Sequence, residues 1–262
     1  MKTLKIKTCT LGEARMLNSG ATPKIITSIM AADEASLIKE AESYLGLDFD
    51  ILEWRADYFT SAVPASLIID IEKAAAALRA IIDKPLLFTF RTEAEGGAQS
   101  ISAEDYITLN KAIVASGNVD MIDIELGCEA RMLDSSDTIK DFIAYAHDFW
   151  VMVVVSNHDF HKTPSKAEII RRLEKMQALG ADIPKIAVMP ESADDVLTLL
   201  AATAEWYKVA IQPFITISMS QLGAISRLAT FGSCATFGAA TKSSAPGQLA
   251  VNELRAMLAN LS

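Results

Sequence analysis

Apolar residues recur along this 262-residue chain in short β-rich runs, and each run is followed by a stretch with helical spacing. The runs lie at 24–30, 49–54, 86–91, 119–126, 150–156, 183–188, 212–218 and 234–237. The helical stretches lie at 33–46, 65–82, 103–116, 129–147, 165–180, 191–207, 219–229 and 247–260. Several open on a capping residue or a proline near the first turn. One, TPSKAEIIRRLEKMQALG, closes on Gly180, as helix ends favour. Successive strand starts are about 30 residues apart, the size of one β-α repeat.

Eight strands, each followed by a helix, predict an α/β fold, a (β/α)8 TIM barrel. An open doubly wound sheet would carry a glycine fingerprint after its first strand, and KIITSIMAADEAS has none. Without a linker or low-complexity tract, residues 1–262 are expected to form a single catalytic barrel domain. Residues 3–17 precede the first repeat and are expected to form a hairpin closing the N-terminal mouth of the barrel.

Composition narrows the function. The formal net charge is −9, which argues against a nucleic-acid partner, because phosphate binders need a basic face. A small anionic substrate stays open, because local arginines overrule a global sign. Mean hydropathy is +0.25, but the apolar run at 149–155 is far shorter than the roughly 18 residues a membrane span needs. The N-terminus lacks a signal peptide's apolar core, so a cytoplasmic protein with no membrane partner is expected. Cys9, Cys128 and Cys234 are odd in number and widely spaced, fitting neither a disulfide framework nor a metal site.

Barrel enzymes place their chemistry at the C-terminal ends of the strands. Glu53 and Arg55 share parity at the end of the second strand, so both point inward while Leu52 and Trp54 face the helices. The alternative is an i,i+2 ion pair without chemistry. Arg91 ends the third strand, and Asp123 and Glu125 share a face of the fourth. Buried carboxylates there need cationic partners, and Arg55 and Arg91 are candidates. His158 and His161 follow the fifth strand, and the parity of His158 with Ser156 favours it as general base. His147 reads as a helix-end or surface residue. Lys185 lies in the apolar sixth strand. Facing inward, it loses hydration and becomes a usable nucleophile; as a strand-start lysine it would reach solvent. Arg227 follows the seventh strand. The small-residue loop FGAATKSSAPGQ follows the eighth, has the composition of a lid, and offers Ser243, Ser244 and Gln248 to a hydroxylated ligand. The last two loops suit a phosphate, and the three strand-end arginines suit a carboxylate equally well.

Six strings, EWRADYF, FTFRTEAEGG, SNHDF, PKIAVMP, ISMSQLGAISR and SAPGQ, fall in order across nearly the whole chain. Together they resemble the type I 3-dehydroquinase family. The resemblance implies roles residue by residue. Lys185 is similar to the Schiff-base lysine, His158 to the general acid/base, and Glu95 to the carboxylate that orients it. Arg227 is similar to the principal clamp for the substrate carboxylate. Ser28, Glu53, Arg55, Arg91, Ser244 and Gln248 are similar to the remaining substrate-contacting positions, and Trp54 and Met219 match family positions nearby. Ile217 and Gln221 depart from the pattern, and neither change removes a catalytic group.

The implied reaction is dehydration of 3-dehydroquinate to 3-dehydroshikimate in aromatic amino-acid biosynthesis. An iminium is the electron sink, so neither metal nor cofactor is expected. The family also implies a homodimer. Two rivals remain. A class I aldolase would need a pocket for carbon–carbon cleavage. A barrel that binds without turnover would be expected to have lost some of Lys185, His158 and Glu95.

Overall fold

The computed structural model describes residues 2–7, 14–19, 22–61, 66–127 and 138–261. Cys9, Cys128 and the first nine residues of the helix expected over 129–147 lie outside them. The N-terminal hairpin forms as expected. Strands β1 (Lys2–Lys7) and β2 (Ala14–Ser19) pair antiparallel.

Eight parallel strands follow: β3 (Lys24–Ile29), β4 (Ile51–Arg55), β5 (Leu86–Thr89), β6 (Met121–Glu125), β7 (Met152–Asp159), β8 (Ile183–Val188), β9 (Ile215–Ser218) and β10 (Ala235–Ala239). The hydrogen-bonded order runs β10-β3-β4-β5-β6-β7-β8-β9, with the two-residue strand β11 (Leu249–Ala250) on the far side of β10. Between β9 and β10 the barrel is closed by single bonds. Cys234 N donates to Phe214 O at 2.8 Å, and Thr216 N donates to Ser233 Oγ at 3.2 Å.

Seven α-helices surround the described barrel: α1 (Glu34–Tyr44), α2 (Leu67–Ile81), α3 (Ala103–Ala115), α4 (Thr138–Asp148), α5 (Lys166–Ala178), α6 (Ala193–Val209) and α7 (Val251–Asn260). Serine or aspartate side chains cap four of them, Asp33, Ser102, Ser165 and Ser192, each accepting a backbone N–H of its own first turn. The helix expected at 219–229 is instead a 3₁₀ turn over Leu222–Arg227. Ser226 Oγ binds both Ser218 N and Gly223 O, so the segment folds back onto the end of β9 and has no room to extend. That fold-back brings Arg227 over the barrel mouth.

Alternation along each strand divides the core in two. Leu52, Trp54, Phe88, Ile122, Ile124, Val153, Val155 and Ile186 point outward and pack against the helices. Ile26, Ile51, Leu87, Met121, Val154, Ile183, Ile215 and Ala235 point inward and fill the lower barrel. Leu4 of β1 packs against this inner cluster, so the hairpin lies at the N-terminal mouth. Cys234 is buried in the same layer, where loss of water pushes its thiol up to about 12 and leaves it inert. Each buried Leu or Ile contributes about 1.5–3 kcal/mol, and this apolar floor offsets the cost of the charged layer above it.

One ion pair belongs to the scaffold. Arg79 of α2 donates to Asp120 Oδ2 at 2.7 Å and also reaches the carbonyls of Ile82 and Lys84. Asp120 Oδ2 accepts from Leu86 N at 2.8 Å, tying the start of β5 to the start of β6. Arg79→Met therefore leaves a buried carboxylate without its cation. Urea denaturation should show a loss of about 3–5 kcal/mol; a loss below about 1 kcal/mol would mean that the pair does not hold this seam.

Candidate active site

The inward residues of the upper barrel are charged. Glu53, Arg55, Asp57, Arg91, Glu95, Asp123, Glu125, Lys185 and Arg227 are all buried, five carboxyls among four cations. Arg91 is the hub. Its Nη2 meets Asp123 Oδ2 at 2.9 Å, and its Nη1 meets Glu125 Oε1 at 3.2 Å and Ser156 Oγ at 2.9 Å. These carboxylates hold the guanidinium charged, well above its ordinary range, against the opposing effect of burial. Arg55 is placed differently from either sequence alternative. It forms neither an i,i+2 pair with Glu53 nor a pair with Asp123 or Glu125. It makes a two-pronged bond to Asp57, Nε to Oδ1 at 2.7 Å and Nη2 to Oδ2 at 2.8 Å. Asp57 also accepts from Arg91 N and Ala98 N, so it anchors the loop after β5.

Lys185 faces inward from β8, which settles its orientation against the solvent-reaching alternative. Its Nζ lies 3.6 Å from Asp123 Oδ2, 3.8 Å from Glu53 Oε1 and 4.7 Å from the centre of the Phe237 ring. Both carboxylates stand beyond good hydrogen-bond range. Each is better served elsewhere, Glu53 by the Ser28 and Thr89 hydroxyls at 2.6 and 3.0 Å, and Asp123 by Arg91 and by Ser156 at 2.6 Å. Burial, aided by Arg91 and Arg55, lowers the amine below its ordinary value despite the two acids.

The loop after β5 turns back at once. Gly97 packs against the Arg91 carbonyl so closely that a Cβ would overlap it. This turn places Glu95 beneath His158. Glu95 Oε2 accepts from His158 N at 2.9 Å and lies 3.0 Å from His158 Nδ1. Burial, then the guanidinium of Arg91, the amine of Lys185 and Arg55, hold His158 well below its ordinary range, so the ring is neutral. The nearest guanidinium to Glu95, Arg91, stands off at 3.8 Å. Burial and the neighbouring Glu125 push it up to about 8. Glu95 is thus a carboxyl able to take up a proton near neutrality. His161 is exposed beyond β7 and does not join the cavity, while His147 pairs with Asp182 at 2.8 Å on the surface.

Arg227 is the cation left over. Its bonds go to the carbonyls of Gly247, Phe237 and Pro246, at 2.8, 3.3 and 3.1 Å. No carboxylate pairs with it among the described residues, and burial alone lowers it to about 10. Gly247, at φ +78°, presses against the Ser220 carbonyl, which allows the loop after β10 to reach Arg227. That loop lies over the mouth. Ser244 Oγ is 2.8 Å from Ser28 Oγ and 2.9 Å from Gln248 Nε2.

The cavity so enclosed, about 470 Å³ with its open mouth, is lined by Glu53, Arg55, Arg91, Glu95, His158, Lys185, Arg227, Ser244 and Gln248, together with Ile217 and Met219. Ser28 stands behind Glu53 and Ser244. Trp54 does not belong to the site. Parity turns it outward, where it packs edge-on against Phe59 and Phe88. Phe160 and Phe237 line the cavity and were missed from sequence. Their inward parity at strand ends was the available signal.

The model of the type I 3-dehydroquinase family matches residues 25–262. The 3-dehydroquinate dehydratase of Salmonella agona (strain SL483) is 52% identical over 262 residues, 98% of each chain. That of Escherichia coli (strain K12) is 53% identical over the same share. A solved type I 3-dehydroquinate dehydratase from Clostridium difficile, with covalently modified comenic acid, superposes with a TM-score of 0.88 at 44% identity, covering 100% of this chain and 98% of that one.

Protonation of Glu95 is directly observable. Infrared difference spectroscopy of the ligand-free protein should show a protonated carboxyl band that disappears as pH rises through about 8. The band should be absent in Glu95→Gln. A band lost near the ordinary Glu value of about 4.3 would contradict this placement of the proton.

Proposed function

The chain belongs to the type I 3-dehydroquinase family and dehydrates 3-dehydroquinate to 3-dehydroshikimate, and from that premise we propose how its residues divide the work. The observation that carries the proposal is the buried Lys185 amine, set 3.6 and 3.8 Å from two carboxylates that are bonded to other groups. A neutral amine there attacks the substrate ketone and loses water to form an iminium.

The iminium acidifies the adjacent C2–H. With Glu95 ionised and the ring proton on Nδ1 toward its Oε2, neutral His158 takes the C2 proton through Nε2 and passes the Nδ1 proton to Glu95, giving an enamine. The enamine pushes out the C1 hydroxyl, which leaves as water with the proton held on His158. The conjugated iminium that remains is hydrolysed, which releases product and restores the Lys185 amine. One molecule of water is lost overall.

Arg227 receives the substrate carboxylate. An anion there neutralises a buried guanidinium that has carbonyl partners alone, and the fork of Arg matches a carboxylate in two bonds. Glu53, Arg55, Ser28, Ser244 and Gln248 surround the hydroxyls. Arg91 acts at one remove, because its guanidinium is committed to Asp123, Glu125 and Ser156. Closure of the loop over the cavity keeps bulk water from the imine.

We also assign the chain to the cytoplasm and to a homodimer, on the strength of the family. Among the described residues no helix is long and apolar enough to cross a membrane.

The test is reductive trapping. Borohydride added with 3-dehydroshikimate should fix a mass adduct on Lys185, located by peptide mapping. His158→Ala should still trap while turnover falls by at least about 10²-fold. An adduct on another lysine, or none, would sink the assignment.

A further inference from the structure

Beside the main cavity a second cleft opens between the loop after β5 and the N-terminal half of α5, and it reaches the Glu95–His158 pair from behind. Asn157, His158, Phe160 and Arg172 are among its walls. Asn157 precedes His158 on β7, so its side chain points away from the substrate cavity. Its Nδ2 lies 3.4 Å from Glu95 Oε1, and its Oδ1 accepts from Arg172 Nη1 at 2.8 Å. Arg172 is held in turn by Glu168, Nε to Oε1 at 2.7 Å. A chain of polar contacts thus runs from α5 to the pair: Glu168, Arg172, Asn157, Glu95, His158.

The chemistry of this chain is directional. A guanidinium has donors alone, so the end of the Asn157 amide facing Arg172 must be its oxygen. The NH₂ end then faces Glu95 Oε1. That contact ties Oε1 to Asn157, as the backbone N–H of His158 ties Oε2 at 2.9 Å. The other carboxyl oxygen, Oε2, faces His158 Nδ1 at 3.0 Å. We propose that Asn157, locked in orientation by Arg172, is a positioning residue that holds the Glu95 carboxyl with Oε2 in line with His158 Nδ1. With a proton on that line, His158 switches between a ring with a free Nε2 and one that carries a proton there.

The charges around Glu95 are accounted for from each neighbouring element. Arg91 comes from the end of β5, Asp123 and Glu125 from β6, His158 from β7, Lys185 from β8 and Arg55 from β4. Arg172 and Glu168 approach from α5 as a bonded pair, and Glu93, Asp159 and His161 line the cleft. Neither Asn157 nor Arg172 lines the substrate cavity. Both are therefore expected to act on proton transfer and not on binding.

The inference rests on the roles assigned above to His158 and Glu95. Asn157→Asp keeps the shape and replaces the donor by an acceptor. It accepts from a proton on Oε1 and adds a negative charge beside Glu95. The acid limb of the kcat profile should move up by about one pH unit or more, with kcat near neutrality down about tenfold and KM within about twofold. Borohydride trapping of Lys185 should be unchanged. Arg172→Gln frees the amide to flip and should move the limb in the same direction by less. Arg172→Lys, also a donor alone, should restore the wild-type profile. Circular dichroism checks that each variant is folded. A fall in kcat with an unmoved acid limb, or wild-type kinetics throughout, would overturn the inference. His158→Ala in the same assay separates the two levels: near wild-type turnover there would overturn the underlying assignment itself.

Discussion

Everything above the apolar floor of the barrel depends on balancing charge where water is scarce. Five carboxyls and four cations share a layer a few ångströms thick, and a lone ion there costs several kcal/mol. Arg91 absorbs most of the imbalance by serving Asp123 and Glu125 together. Glu53 and Asp57 are met by hydroxyls, backbone N–H groups and Arg55. Once these partners are assigned, Glu95 has Arg91 only at 3.8 Å, Lys185 has its two nearest acids at 3.6 and 3.8 Å, and Arg227 pairs with no anion among the described residues. Those three shortfalls lie in the same cavity. They correspond to a carboxyl able to hold a proton, an amine able to lose one, and a guanidinium ready for an incoming carboxylate.

The scaffold makes this arrangement possible by separating its two kinds of burial. Outward-facing strand residues seal against the helices and inward-facing ones fill the lower barrel, with Leu4 of the hairpin beneath. The polar layer is thus confined to the C-terminal ends of the strands, within reach of the loops. Loop geometry then completes the site. Gly97 lets the chain after β5 double back beneath His158, and Gly247 lets the loop after β10 bring its carbonyls to Arg227. The 3₁₀ turn after β9 replaces a longer helix because Ser226 ties it to Ser218.

Period-two alternation made much of this legible beforehand. It placed Glu53, Arg55, Asp123, Glu125, His158 and Lys185 inside, and it distinguished His158 from His161. It also turns Trp54 outward, and there the family resemblance, which matched Trp54 to a position near the pocket, was the poorer guide. Partner choice was not legible. Arg55 and Arg91 look equivalent at strand ends, yet Arg55 bends back to Asp57 two residues on, while Arg91 crosses to the next strand. That choice depends on distances between strands, which spacing along the chain does not encode. The same holds for Asn157 and Arg172, 15 residues apart in sequence and in contact only because α5 packs beside the end of β7.

The central claim is that this charge layer leaves Lys185 easier to deprotonate than an ordinary lysine although two acids stand within 4 Å. It is tested most directly by following the ε-nitrogen of Lys185 by ¹⁵N NMR across a pH titration of the ligand-free protein, with Lys185→Met to assign the signal. The account predicts titration below the ordinary lysine value of about 10.4, and a further drop in Asp123→Asn, which removes a carboxylate that favours the ammonium. Titration at or above the ordinary value would contradict it, because the two acids would then outweigh burial and the lysine would rest as an ion pair.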